Sequence, residues 1–437
     1  MNILNKKFFI SFIVSFKKTL QLRSIVKTSK KEIFVISLIS CLFVSSVLFT
    51  GCLNDDNKSS DNDNNEINYS CEINLTRDIL SESLALGTHF LLNNQKAEGN
   101  FNYEYDWINQ EMNTEDSEVR QAGALWGLSL LYQNSPDEDV LAAIEKGFDF
   151  FDENSKESTD GKKWVVYPTS TSGRTGTVAL VSLAIIDFLR AAEDIDPEFQ
   201  DELETDLDKY LTFLVSLRTD NGQFHQSYDH YVGIGYSDPS PYFDGESLLA
   251  LSKAAKYLDK TEYVSIILES ADAMYTNNVV EALDIHPDST TTKGFFQWGC
   301  MSFFEIYTSG WDNTEQYSDI VIELADWMID VHRTLSRTRN TAYAYEGIIH
   351  AYELARQSND ENHIDKFACV IDEGLYKLTS WQVGSPIENE FLQNNPTTDT
   401  LAIGGVMNHK EEAPLRIDVA QHQMHAVILA LKYVYTS

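Results

Sequence analysis

From about Asn74 to the C-terminus, two kinds of helical pattern alternate along the chain. In the first, apolar residues recur every three or four positions on a charged background. Residues 197–218 place Leu203, Leu207, Leu211, Leu214 and Leu217 on one face and acids on the other, as expected of a helix lying on a surface. Residues 137–154, 262–280, 315–333 and 361–380 read the same way, and residues 77–94 less cleanly. In the second kind, apolar residues cover every face and small residues are frequent: RQAGALWGLSLL, RTGTVALVSLAII, DGESLLALSKAA, CMSFFEIY, TAYAYEGIIHAYELA and VAQHQMHAVILALKYV. A helix apolar all round must be buried all round. Ala, Gly and Ser let its neighbours come close.

The connections alternate too. Each charged segment leads through a longer loop into a buried one, and most of these loops carry a glycine followed by aromatic or apolar residues: GNFNYEYDW, GKKWVVYP, GQFHQSYDHY, GFFQWG and GGVMN. Gly99, Gly161, Gly222 and Gly294 are 62, 61 and 72 residues apart. The return connections, such as QNSP and YLDKTE, are short. A two-helix unit recurring near every 60 residues signals a repeat architecture, and six outer with six inner helices predict a closed all-α ring, an (α/α)6 toroid of six helical hairpins. Closure leaves no inner helix exposed. The long loops then gather on one face, where function is expected. PYFDGESLLAL is one loop-to-helix junction on that face, with Asp244 as the expected cap and Glu246 in the first turn.

The 437 residues are 43% hydrophobic, enough for a large buried core. Net charge is −34. Residues 1–51 hold eight Lys and Arg and the single acid Glu32, leaving 25 basic against 66 acidic residues beyond them, a net −41. Such a surface repels phosphate backbones, so no nucleic-acid partner is expected, and a polyanionic substrate would need local cations.

The N-terminus reads as an address. Basic residues from Lys6 to Lys31 precede an apolar run, Ile33 to Thr50, which ends in FTGC. This resembles a prokaryotic lipoprotein signal in which Cys52 becomes the lipidated first residue; the alternative is an uncleaved membrane anchor. The expected organisation is an export segment at 1–51, a flexible tether at 52–73, polar and too poor in apolar residues to fold, and the toroid at 74–437. The protein is then extracytoplasmic and held at the membrane. Of the other cysteines, Cys41 lies in the signal. Cys71, Cys300 and Cys369 allow at most one disulfide and match no zinc spacing, and single buried thiols are the favoured reading.

RQAGALWGLSLLY, PYFDGESLLALSKAAKYL and RIDVAQHQMHAVILAL resemble landmarks of six-hairpin toroid proteins. More narrowly, they are similar to prokaryotic relatives of the D-glucuronyl C5-epimerase C-terminal domain. The resemblance runs from about Asn74 to the end. It implies a carbohydrate-facing cup, within a fold that serves glycoside hydrolases, polysaccharide lyases and sugar epimerases, and it carries over no catalytic set.

Polar residues at the starts of the inner helices supply the candidate chemistry. Glu246, Asp418 and His422 are the expected catalytic residues. Arg120, Arg174, Tyr231, Tyr242, Asp244, Tyr345, Glu346, Arg416 and Gln421 are expected to bind an oligosaccharide or polysaccharide. Rings stack on sugar faces while carboxylates and guanidinium groups bind hydroxyls. Glycoside hydrolysis needs a carboxylic acid and a second carboxylate, for which Glu246 and Asp418 are the leading pair. Lyase or epimerase chemistry needs a base such as His422 and a cation. For Arg120 and Arg174, unfavourably placed at helix starts, a salt bridge to a loop acid is the plainer explanation. The histidine spacings match no firm metal signature, and neither a metal nor a cofactor is expected. A glycoside hydrolase-like enzyme leads; a uronate lyase or epimerase, a non-catalytic glycan- or peptide-binding cup, and an envelope scaffold stay open.

Overall fold

A computed structural model describes residues 71–191 and 195–436. Its helices are α1 Arg77–Asn94, α2 Glu118–Asn134, α3 Glu138–Glu153, α4 Thr175–Leu189, α5 Pro197–Ser216, α6 Pro241–Tyr257, α7 Val264–Tyr275, α8 Thr290–Tyr307, α9 Gln316–Asp326, α10 Ala342–Ser358, α11 Glu361–Thr379 and α12 Ile417–Tyr433. The even-numbered helices form the inner ring. Each packs on the next (α2, α4, α6, α8, α10, α12), and α12 packs back on α2 to close it. The odd-numbered helices lie outside. The chain is thus an (α/α)6 toroid, as the alternating pattern predicts. From Thr175 to Phe188 every residue of α4 is buried, which is why its sequence shows no polar face.

Four of the outer helices, α1, α3, α5 and α11, begin with ordinary side-chain caps. The Asp137 carboxylate accepts from the backbone N–H groups of Asp139 and Val140, and Thr76, Asp196 and Asp360 cap α1, α5 and α11 in the same way. Five inner helices, α2, α4, α6, α10 and α12, have no hydrogen bond from a capping side chain. Their N-terminal N–H groups converge on the mouth of the ring, so the positive ends of the helix dipoles converge there as well.

The long loops carry short strands that set the mouth: β1 Glu104–Asp106, β2 Glu111–Met112, β3 Ser155–Glu157, β4 Lys163–Val165, β5 Gly173–Arg174, β6 Ser227–Tyr228 and β7 Pro414–Arg416. Strand β1 lies between β2 and β7 with Glu104 opposite Arg416. This joins the first long loop to the last and closes the mouth as the helices close the ring. Gly99, Gly161 and Gly222 turn their loops with φ of +100°, +81° and +86°, a region open to glycine at no steric cost.

Three expectations are corrected here. Gly294 and GFFQWG lie inside α8, not in a loop. Outer helix α7 continues through a π turn at Thr276–Val280 and a further turn at Glu281–Ile285, so only four residues remain before α8, which Ser289 caps. Gly294 answers a packing need instead, since a Cβ there would lie 2.8 Å from the Tyr242 ring. Second, Asp244 does not cap α6. The helix starts at Pro241, and Asp244, inside the first turn, accepts from Phe224 N at 2.9 Å, Gln223 Nε2 at 2.8 Å and Asn278 Nδ2 at 2.9 Å. It ties the preceding loop and the π turn to α6. Third, Cys71 and Cys369 are not separate thiols but a disulfide, which fastens the segment before α1 to α11; Cys300 is free and buried. The export segment, including Cys52, and all but the last three residues of the tether lie outside the described residues. Among the described residues no helix is long and apolar enough to cross a membrane.

Candidate functional site

At the mouth, the N-terminal halves of the inner helices enclose a cavity of about 350 Å³, with Glu246 in the second turn of α6 rather than the first. Arg120, Tyr242, Glu246, Arg416, Asp418, Gln421 and His422 line it, so seven of the twelve expected residues come together. The helical repeat explains which ones. Tyr242 and Glu246 are four apart on α6, as are Asp418 and His422 on α12, and each pair shares a face.

Asp418 sits between two guanidinium groups. Its oxygens accept from Arg416 Nε at 2.9 Å and Nη2 at 2.7 Å, and Arg120 Nε lies 3.1 Å away. Arg120 also donates to the Tyr103 hydroxyl. Arg120 therefore has the ion-pair partner that its place at a helix start requires, but that partner comes from α12 rather than from a loop.

Glu246 is buried, and its Oε2 has no hydrogen-bond partner. Burial alone pushes its pKa well above the ordinary carboxylate value, which favours the protonated form over the carboxylate. Gly176 on the facing helix makes room for it, since a Cβ there would collide with Glu246 Oε2. The Gln421 Nε2 amide, in the same cavity, is also buried and unpartnered.

His422 completes the cup. Its Nδ1 donates to Glu346 Oε1 at 2.8 Å, leaving Nε2 as the other ring nitrogen. Burial disfavours the charged ring, but the Glu346 carboxylate outweighs it and the His422 pKa rises. Glu346 is fully buried on α10. Burial pushes its own pKa up, yet His422 and His425 together hold it below the ordinary value.

Five expected residues lie elsewhere. Glu346 stands behind His422 and acts through it. Asp244 faces the loop side of α6, where burial raises its pKa to about 6 against three donors. Tyr345 is fully buried against Gly374 on α11. Arg174 Nη1 donates to Ser227 Oγ at 2.7 Å and its backbone N–H to Glu118, and among the described residues no loop carboxylate forms an ion pair with its guanidinium. Tyr231 is 81% exposed at the tip of the loop between α5 and α6, with Lys156 over its ring.

The cavity also holds residues that the sequence reading passed over: Lys293, Gln297, Trp298, Asn340, Tyr343 and Asn408. Lys293 lies over the rings of Tyr242 and Tyr343, and Gln297 Nε2 donates to Glu346 Oε2 at 3.2 Å. Lys293 and Gln297 are polar breaks four apart in an otherwise buried helix, a signal lost when GFFQWG is read as a loop. Tyr343 rather than Tyr345 faces the cup, because two residues turn a helix by about 200°. Cations in the cavity are Arg120, Lys293 and Arg416, three against the two acids Asp418 and Glu246. Its local charge is therefore opposite in sign to that of the body. Among the described residues no group of three or more His, Cys, Asp and Glu is placed to hold a metal ion.

No protein family matches the sequence, and no curated protein does. Solved structures do match. A cellobiose 2-epimerase from Spirochaeta thermophila superposes with a TM-score of 0.58 at 14% identity, over 82% of this chain and 96% of that one. An inactive variant of the alpha-1,6-mannanase GH76A of a Salegentibacter species, in complex with alpha-1,6-mannotetrose, superposes with a TM-score of 0.55 at 10% identity, over 81% and 98%. An unsaturated glucuronyl hydrolase specific for heparin gives a TM-score of 0.52 at 11% identity, over 81% and 97%. At these identities the likeness is one of fold.

Proposed function

We propose that the protein is a carbohydrate-active enzyme that moves a proton at a sugar carbon, as an epimerase or a lyase does. The observation that carries this reading is His422, backed by the buried Glu346 and sharing one cavity with Arg120 and Arg416. In this reading, neutral His422 removes a proton from the carbon beside a carbonyl or carboxylate. The electron pair moves onto that oxygen, where Arg120, Arg416 and the converging helix N-termini stabilise it. Protonated Glu246 returns a proton to the opposite face, giving an epimer; if a glycosyl oxygen leaves instead, the product is unsaturated. Trp298, Tyr242 and Tyr343 supply rings for the sugar faces. The cations also offset the repulsion that a net −41 body would exert on an acidic sugar, which supports the uronate-directed form suggested by the D-glucuronyl C5-epimerase likeness. The sugar-acting neighbours of the same fold support action on a carbohydrate, without favouring one reaction over another.

Hydrolysis is the second reading, because a protonated Glu246 is also what a glycosidase acid requires. Its cost is that Asp418, the other cavity carboxylate, would have to serve as base or nucleophile while holding two arginines.

The test is incubation in deuterium oxide with reducing disaccharides, monosaccharides and uronate oligosaccharides, followed by mass spectrometry and proton NMR. Deuterium on a sugar carbon, or an unsaturated product formed without addition of water, is the expected result. Products that gain water without carbon-bound deuterium establish the hydrolase. Binding without conversion establishes a non-catalytic cup.

We also propose export and attachment through Cys52. The Cys71–Cys369 disulfide supports an oxidising compartment. Incorporation of a labelled fatty acid in cells, and its loss in Cys52→Ser, is the corresponding test.

A further inference from the structure

A second cavity, about 970 Å³, opens where the inner helices end, and Trp126, Lys253, Glu305, His350 and His425 are among its walls. Glu346 stands between this rear cavity and the cup. Its Oε1 accepts from Nδ1 of His422, which lines the cup, at 2.8 Å, and lies 3.6 Å from Nδ1 of His425, which lines the rear cavity. His425 Nδ1 is buried and has no closer partner, and its ring meets the Trp126 ring edge-on at 5.0 Å.

We infer that His425 is a positioning residue for His422: the two histidines share the one Glu346 carboxylate from opposite sides of the ring, so the proton held by the cup histidine is governed from the rear cavity. One carboxylate balances one imidazolium. Drawing Glu346 toward one ring removes its support from the other. The remaining groups around His425 leave that competition intact. On α10, His350 donates Nδ1 to the Glu346 carbonyl oxygen at 2.6 Å and is kept neutral by burial, its pKa lowered to about 4. Lys253 on α6 is paired with Asp187, and Glu305 on α8 with Lys256 and Tyr257. Lys432, on His425's own helix, also faces the rear cavity. Gln297 fixes the second Glu346 oxygen, so only Oε1 is shared.

This inference rests on the reading of His422 as the proton-transfer group, but its test needs no substrate, so the two fail separately. The imidazole nitrogens of the purified, 15N-histidine-labelled protein are titrated by NMR in wild type, His425→Phe, His425→Asn and Glu346→Gln. In His425→Phe the competitor is gone, and the His422 midpoint should rise by roughly half to one pH unit. His425→Asn, which keeps a donor toward Glu346, should restore most of the wild-type midpoint. In Glu346→Gln the His422 midpoint should fall. A His422 midpoint equal to wild type in His425→Phe, with the fold intact, overturns the inference. Should His425→Phe not fold, a His422 midpoint in Glu346→Gln equal to wild type overturns it equally, since the shared carboxylate would then lend no support.

Discussion

Arg416 holds Asp418 through two parallel hydrogen bonds, from Nε at 2.9 Å and Nη2 at 2.7 Å, although only one residue separates them. Arg416 ends β7 and Asp418 lies in the first turn of α12, so the change from strand to helix is what aims them at each other. With Arg120 joining from α2, Asp418 orients two guanidinium groups toward the cup.

Replacing Asp418 with Asn should therefore leave the fold intact and disorder the arginines. Uncompensated, they repel each other and lose their bidentate anchor. On a converted sugar, kcat should fall by about 10²-fold, the range for loss of a donor to a developing oxyanion, and KM should rise as well. Circular dichroism checks the fold and steady-state kinetics the rest. Unchanged kcat and KM would show that the arginines keep their places without Asp418.

Glu246→Gln should lower kcat by about 10²- to 10⁴-fold, the range for loss of a general acid, and should not destabilise the protein. The folded-state pKa of Glu246 lies well above the ordinary 4.5. Between those values the folded state binds a proton that the unfolded state has released, so this group lowers stability as pH rises through that window. The Gln variant lacks this dependence. Denaturant unfolding at acidic and neutral pH should show its stability relative to wild type increasing with pH.

The rate should depend on pH as a bell. The acid limb follows His422, whose pKa is raised above 6.5 chiefly by Glu346 against the effect of burial, and the alkaline limb follows deprotonation of Glu246. Glu346→Gln should shift the acid limb to lower pH. It should also remove a stabilising contribution that is complete below the unfolded histidine value near 6.5 and is lost as pH rises through the raised folded value. Rate profiles and thermal melts across pH check both.

The Cys71–Cys369 disulfide should be worth about 2–4 kcal/mol, the usual range for a bridge of this kind. It ties the start of the toroid to α11, next to Asp372, which accepts from the backbone N–H of Asn74 and of Leu75. Reduction, or Cys369→Ser, should lower the melting temperature while leaving the cup residues in place, so activity at low temperature should persist.

Gly374→Ala should destabilise by about 1–3 kcal/mol through overpacking, because the added methyl would collide with the Tyr345 hydroxyl. Tyr345→Phe, by contrast, should leave sugar turnover unchanged, whereas Tyr343→Ala should weaken sugar binding. Thermal melts and binding titrations separate the two tyrosines.

The fold was largely legible because closure of the ring imposes one pattern six times. Outer helices must show one wet face and inner helices none, and those patterns, as in Leu203 to Leu217 and Thr175 to Phe188, are written in the order of the residues. The π turns that extend α7 at Thr276–Val280 and α9 at Trp327–Val331 are not. They insert no break in the apolar pattern, so GFFQWG, with its two glycines, looked like one more loop.

The cup was legible in part. Composition and spacing brought Glu246, Asp418 and His422 to the starts of inner helices, since a polar residue there is otherwise costly. The sequence could not decide which side of its helix each residue faces or what stands opposite. That depends on the rotation of each inner helix within the ring. Asp244 turned to the loop and Tyr345 to α11, while Tyr343 and Lys293 turned to the cup. A buried carboxylate beside two histidines, another between two arginines, and a third buried without a partner on one oxygen are differences made by neighbours far away in the chain. By itself the sequence determined twelve helices, their inner or outer place and the end of the ring that carries the chemistry, because local periodicity and burial suffice for these. Only the tertiary structure decided the charge state and partner of each acid and base, because desolvation and Coulomb interaction depend on distances that the chain order does not contain.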